Sequence, residues 1–337
     1  MTVEAQLVPL EGWTPGEWDD AIAPFESTGF SHGSGWLDFL QTTGKGTILR
    51  FRLDQQGSTL GFFPATLTRK GPFRILGSPL SGSLTEDLGP TGPPGFPVEQ
   101  FLSALDRFCA SHRIHQVELG SPLFEPDVMR RFGYEVRQWR TLEVPLAPSR
   151  TRLWQTISSN ARNRVRKAER SGLMVRLAGG PDFASRHYAL VRQVFRRQRL
   201  RPPISEEDVE ALCARMAPRD QVFTLEIVHP EREEVLASGL FPHDRGTVYS
   251  LSTASSDRGR EFCANELLHW SLMELAGSRG VARYRMGDNH RSPVAGKGFK
   301  DKFGGSPVPV FRYLRHYSRL ARHSRRVFVA LRRMGRL

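Results

Sequence analysis

Residues 297–305 read Lys297-Gly298-Phe299-Lys300-Asp301-Lys302-Phe303-Gly304-Gly305, and a little upstream stands Gly287-Asp288-Asn289-His290. The chain uses 42 arginines and only six lysines, yet three of the six fall in this one stretch. Lysine places a compact cation on a flexible stem, which suits a phosphate or an oxygen that gains negative charge during reaction. Gly298, Gly304 and Gly305 would let backbone come close to a ligand. A solvated basic turn ahead of the last strand explains the same residue types, so composition leaves both readings open.

Outward from this stretch, the pattern is one of strands and helices in a repeated order. Pro307–Leu314 reads as the last strand and Val281–Met286 as the one before the motif. Helix Asn265–Ser278 precedes it, closed by Gly280 and entered through a turn at Asp257-Arg258-Gly259-Arg260. Further back lie strands Val222–Val228, Val235–Phe241 and Thr247–Ser252, and helices near 182–198 and 205–217. The second of these has Ser205 as N-cap with Asp208 behind it. A basic helix, Leu153–Arg170, starts this half and ends at Ser171-Gly172. The first half has strands Thr47–Leu53 and Thr59–Leu67 around Gln55-Gln56-Gly57, then residues 71–97 with six Gly and six Pro, read as a long loop. Helix Val98–Ile114 and strands Val117–Leu119 and Tyr134–Val144 follow. Both halves thus run strands, turn, helix, strand, which predicts two related α+β domains, 1–148 and 149–315, split at the Pro-rich 145–149. A basic tail, 316–337, follows.

The 337 residues carry a net charge of +13. Nine arginines and no acids lie in 312–337, so the rest of the chain is only mildly basic. Cys109, Cys213 and Cys263 are far apart and lack zinc or haem spacing, and the ten histidines are scattered. They read as buried thiols and ordinary core or surface histidines, with no metal expected. GxSxG, HExxH, Walker A and GxGxxG patterns are absent. The start of the chain is acidic and unlike a leader peptide, and there is no run of 18 apolar residues, so a cytoplasmic protein is expected. In the tail, Leu314, Tyr317, Leu320, Val327, Leu331 and Met334 recur near helical spacing with Arg between them. Such a helix suits an anionic membrane surface or RNA, or packs its apolar stripe on the body. Membrane-peripheral placement therefore stays open beside the cytoplasmic one.

Two motifs together resemble a known family. Arg162, Val165, Arg166, Lys167, Ala168 and Gly172 fit R-x-x-[IV]-R-K-A-x-x-x-G, and Phe299, Lys300, Phe303, Gly304 and Gly305 fit F-K-x-x-F-G-G. In this order they resemble the FemAB-like branch of the GNAT acyltransferase superfamily, with lesser matches at Trp36, Gly61, Pro64, Asn265, Leu268 and Trp270. The resemblance implies tandem GNAT-like domains, each a mixed, mostly antiparallel sheet flanked by helices. It implies transfer of an aminoacyl or acyl group to an amine of a cell-envelope, polysaccharide or small-metabolite precursor, with no tightly bound cofactor. Lys300 would stabilise the tetrahedral oxyanion and Phe299 would help place the donor. Asp288 could orient the amine, a plain turn Asp being the simpler reading. Arg162, Arg166, Lys167, Lys297, Lys302, Asn265 and Trp36 are the candidates for binding donor or acceptor.

The chain also departs from these relatives. Peptidoglycan-bridge enzymes carry a Lys soon after the tryptophan matched by Trp36; here Phe39 and Leu40 stand nearby, and the nearest lysine is Lys45. Acyl-CoA enzymes hold pyrophosphate on [QR]-x-x-G-x-[GA] at a helix start. The corresponding residues here run from Arg258 to Cys263, with Glu261 and Cys263 at the small-residue positions. That tilts the donor from ordinarily bound acyl-CoA toward aminoacyl-tRNA or a nonstandard donor site, with an acyl-CoA-dependent N-acetyltransferase as the alternative. A non-catalytic GNAT-like module that holds RNA, membrane or a partner on its basic surface is the competing class.

Overall fold

The computed structural model describes residues 4–244, 246–288 and 298–318. The expected tail helix and Lys297 lie outside them. Two compact units divide the chain: Met1–Gln138 with Val310–Leu337, and Trp139–Pro309. The division falls inside a strand, earlier than the expected 148/149, and the last strand returns to the first unit instead of staying with the second. The Pro-rich 145–149 lies within the second unit, Pro145 ending the divided strand and 146–149 forming the loop to the next helix.

In the first unit, β1 (Gln6–Pro9), α1 (Pro15–Ile22) and α2 (Ser34–Thr42) precede the strands β2 (Thr47–Gln55) and β3 (Ser58–Lys70). Next come β4 (Phe73–Ser78), α3 (Val98–Ser111), β5 (Gln116–Leu119), α4 (Pro126–Arg131) and the start of β6 (Glu135–Pro145). Strand β4 corrects the reading of 71–97 as loop throughout. Glycine and proline dominate that stretch, but Ile75 and Leu76 are buried and pair with Thr68 and Leu67 of β3. β4 and β5 run parallel, the other pairings of this unit being antiparallel. The apolar stripe of α3, with Phe101, Leu102 and Leu105, packs on Phe51, Phe63 and Leu76 of the sheet.

The second unit holds α5 (Arg150–Thr156), α6 (Ser159–Arg170), β7 (Met174–Leu177), α7 (Gly180–Arg197), α8 (Glu206–Met216), β8 (Val222–His229) and β9 (Glu234–Pro242). It continues with β10 (Thr247–Tyr249), β11 (Ser252–Ser255), α9 (Asp257–Glu261), α10 (Ala264–Ser278) and β12 (Arg283–Asp288), and the chain leaves it through β13 (Ser306–His316). The expected single helix Leu153–Arg170 is two. Ile157 is extended, and Ser158 starts α6 by accepting the Ala161 N–H at 3.2 Å. Ser205 and Asp208 form the expected capping box on α8. Four strands form the antiparallel order β11-β9-β8-β7. α10 is apolar nearly all round, as a helix enclosed by its own unit must be. Leu267, Leu268, Trp270, Leu272 and Met273 join β8, β9 and α6 in one core.

Candidate active site

The expected strand Thr247–Ser252 is divided between two pairings. β10 runs parallel to β12, Thr247 opposite Arg283 and Tyr249 opposite Arg285, and the Ser250 N–H still donates to the Arg285 carbonyl at 2.8 Å. The Leu251 N–H then turns to the Leu240 carbonyl at 3.2 Å, and from Ser252 the chain pairs antiparallel with β9. Parallel strands that share a start and then part leave a wedge between β11 and the end of β12. On the far side, β12 loses register with β6 between Arg285 and Asp288. Gly287 sits in that irregularity with φ +73°, where a side chain would be strained.

Lys300 reaches this wedge. A methyl group on Gly287 would lie 3.6 Å from the Lys300 Nζ and 4.0 Å from the Ser250 carbonyl oxygen. The short 3-10 turn Lys300–Phe303 that carries it is tied down on several sides. The Ser158 N–H donates to the Lys302 carbonyl at 2.8 Å, and Asp301 accepts the Gly298 N–H at 2.7 Å. Phe303 is fully buried. Phe299 packs on His269 with ring centres 5.3 Å apart. Buried His269 is bonded to the Tyr284 hydroxyl at 2.7 Å. Burial, and then the Lys300 and Lys302 cations, hold its pKa down at about 3, so the ring is neutral.

The other expected residues separate. Lys302 is committed to the fold: its ammonium pairs with buried Glu266 at 2.5 Å and stands 4.1 Å from the Phe299 ring centre. Glu266 also faces Arg164 at 3.5 Å. Arg162 donates to the Trp154 carbonyl at 3.2 Å, closing the break between α5 and α6, and Arg166 covers the Trp154 ring at 5.3 Å. Lys167 is exposed. Asn265 lies in the first turn of α10, and its Oδ1 is buried with no hydrogen-bond partner among the described residues. Asp288 ends β12 opposite Thr141. Trp36, expected at the substrate, is fully buried in the first unit between Phe30 and Phe39.

The glycines of the motif also have a different use from the expected one. Gly304 has φ +80°, and a methyl group there would sit 2.3 Å from the Thr156 carbonyl oxygen; one on Gly305 would meet the Glu143 carbonyl at 2.9 Å. They bring the turn close to its own chain, not to a ligand. Sequence reasoning missed Glu266, and it singled out the stretch at Gly287 without the backbone role of that glycine. Glu266 had a signal, an acid inside an otherwise apolar helix, whereas the need for Gly287 follows only from strand register.

The stretch ahead of α10 bears on the donor. The Ser256 hydroxyl accepts the Gly259 N–H at 3.0 Å, and the Arg260, Phe262 and Cys263 N–H groups donate to the carbonyls of Ser256, Arg258 and Arg260 at 3.1–3.2 Å. These amides are satisfied within one short helical turn. Arg258 is ion-paired with Glu234, Glu261 is exposed, and Cys263 adopts φ +60°.

Residues 156–301 match the family model described as "Acetyltransferase (GNAT) domain". Among solved structures the chain is similar to FemX, with 12% identity over 90% of this chain and 96% of that one and a TM-score of 0.72. It is also similar to L-PGS from Bacillus licheniformis, 14% identical over 91% and 94% with a TM-score of 0.54. A tandem GNAT protein from the clavulanic acid biosynthesis pathway is 11% identical over 94% and 99%, with a TM-score of 0.55. No curated protein matches. Residues 156–301 thus match a GNAT acetyltransferase domain, and the chain as a whole shares its fold with FemX and the tandem GNAT protein, in line with the resemblance that the two motifs carry. Among the described residues, no helix is long and apolar enough to cross a membrane, and no cluster of His, Cys, Asp and Glu could hold a metal.

Proposed function

We propose that the second unit transfers an aminoacyl group from aminoacyl-tRNA to an amine of a cell-envelope, polysaccharide or small-metabolite precursor. The carrying observation is the Lys300 ammonium beside Gly287 and the Ser250 carbonyl at the wedge. When an amine attacks an acyl carbon, the carbonyl oxygen gains a full negative charge. A cation held beside the reacting carbonyl stabilises that charge better than water does, and each such group contributes about 3–4 kcal/mol. Phe299, held against His269, forms an apolar wall near the same lysine. The internally bonded amides of 259–263 speak against a pyrophosphate cradle of the ordinary acyl-CoA kind. The exposed basic residues Arg164, Arg166, Lys167 and Arg170 of α6 offer an electrostatic surface for an RNA-linked donor.

The test supplies the whole chain with a pool of aminoacyl-tRNAs, or with acetyl-CoA, and hydroxylamine as a surrogate amine. Aminoacyl hydroxamate should form above background from charged tRNA. Lys300→Ala should lower that rate by about 10²–10³-fold at unchanged melting temperature. Hydroxamate formed only from acetyl-CoA would assign an acyl-CoA enzyme. Inertness toward both, with salt-sensitive RNA binding, would assign a binding module.

A further inference from the structure

On the opposite flank of the wedge from Lys300 lies a hydrogen-bonded chain that the reading above does not use. His187, on α7, is fully buried. Its Nε2 is 2.8 Å from the Ser252 Oγ and its Nδ1 is 2.7 Å from the Ser238 Oγ. Ser238, on β9, is likewise fully buried, whereas Ser252 is partly exposed. Ser252 is the first residue of β11, where the chain has just left β12, and only two residues separate it from the Ser250 carbonyl near Lys300. Two residues of extended chain advance roughly 7 Å, so Ser252 lies further along the same edge of the wedge.

We propose that Ser252 and His187 form the proton relay of the acyl transfer, with Ser238 as the positioning residue that sets the imidazole. This rests on the transferase reading. With Nδ1–H donating to the Ser238 hydroxyl, the lone pair of Nε2 faces Ser252 and accepts its hydroxyl proton. The amine nitrogen bonds to the acyl carbon and becomes positively charged while Lys300 faces the oxyanion. The nitrogen gives its proton to the Ser252 oxygen as the Ser252 proton passes to Nε2. Collapse then re-forms the carbonyl and breaks the bond to the leaving oxygen of the ester, and the imidazolium returns a proton through Ser252 to that oxygen. Burial holds the imidazole at a pKa of about 4. It is neutral before reaction, and once protonated it is a strong acid, as a departing alkoxide requires. Glu226, the carboxylate that acts on it, is itself paired with Arg176 and Arg186.

Two measurements decide this. The ¹⁵N shifts of histidine-labelled whole chain should show His187 Nε2 as the unprotonated nitrogen; Nε2–H would overturn the relay whatever the substrate. In the hydroxamate assay, Ser252→Ala should slow turnover by about 10²-fold or more, with tRNA affinity unchanged and only a small fall in melting temperature from the lost bond to His187. Ser252→Thr, which keeps the hydroxyl, should recover most of the rate. A fully active Ser252→Ala beside an inactive Lys300→Ala would leave the transferase standing and sink the relay. A wild type inert toward both donors would sink the two together.

Discussion

Lys302 holds its charge in a nearly dry place, 14% exposed, against a Glu266 side chain that is 7% exposed. Neither charge would be stable there alone, because the desolvation of each is offset only by the other and by the neighbouring Phe299 ring and Arg164. Lys302→Met should therefore destabilise the second unit by about 3 kcal/mol, less if Arg164 swings in to cover Glu266. The double variant Lys302→Met with Glu266→Leu should regain most of that loss. Urea unfolding of the two variants checks the claim, and a double variant as unstable as the sum of the single changes would contradict it. Lys300, two residues away, belongs to the wedge, and its replacement should cost rate instead of stability. Residue types did not separate these two lysines. Both read as cations in a glycine-rich turn, and only the position of Glu266 on α10 shows which one the fold consumes.

At the level of elements, the F-K-x-x-F-G-G motif is a device for placing one turn. Its phenylalanines enter the core beside His269, and its glycines let the chain pass against α5 and β6. Gly304→Ala would combine a φ of +80° with a methyl group 2.3 Å from backbone, which cannot move aside as a side chain can. We expect a loss of more than about 2 kcal/mol, together with lower transferase activity as Lys300 shifts. Thermal unfolding and the hydroxamate assay read the two effects. Ser158→Ala, which removes the cap on α6 beside the same turn, should cost about 1 kcal/mol. Much of this level was legible. The strands β2, β3, β8 and β9 and the helices α3, α7, α8 and α10 follow from hydrophobic period and caps. Two breaks escaped that reasoning. The α5/α6 break hides in a continuous helical pattern, because Ile157 serves a helix face and an extended link equally well. The β10/β11 break depends on which neighbour each half meets, and partner choice leaves no local mark. The site had the same limit: the motifs pointed to Lys300, but Ser252, Ser238 and His187 come together only in three dimensions.

For the whole chain, the sequence order gave two related halves, yet the seam lies within β6 and the last strand rejoins the first unit through Tyr313, buried beside Phe124. Both histidines whose pKa values burial pushes down to about 4 and about 3, His187 and His269, fall in the second unit. Both contribute to the acid response of that unit, in the same direction as buried His243, whose pKa burial also lowers. In the unfolded chain each would titrate near 6.5, while in the folded unit each stays neutral until far lower pH. Below about pH 6.5 the unfolded state binds more protons, so stability falls as pH falls. The slope is about 1.4 kcal/mol per pH unit for each histidine. At pH 5 the two together should remove about 4 kcal/mol. The His187 contribution should level off near pH 4 and that of His269 near pH 3. Above pH 6.5 neither contributes. Urea midpoints between pH 7.5 and 5 measure this, and His187→Gln tests it in particular. That variant should start less stable, having lost its bonds to Ser238 and Ser252. From pH 6.5 to 5 it should then lose about 2 kcal/mol less than the wild type. Equal slopes in the two proteins would mean that His187 takes up its proton while folded, and that the unit opens around α7 before it unfolds.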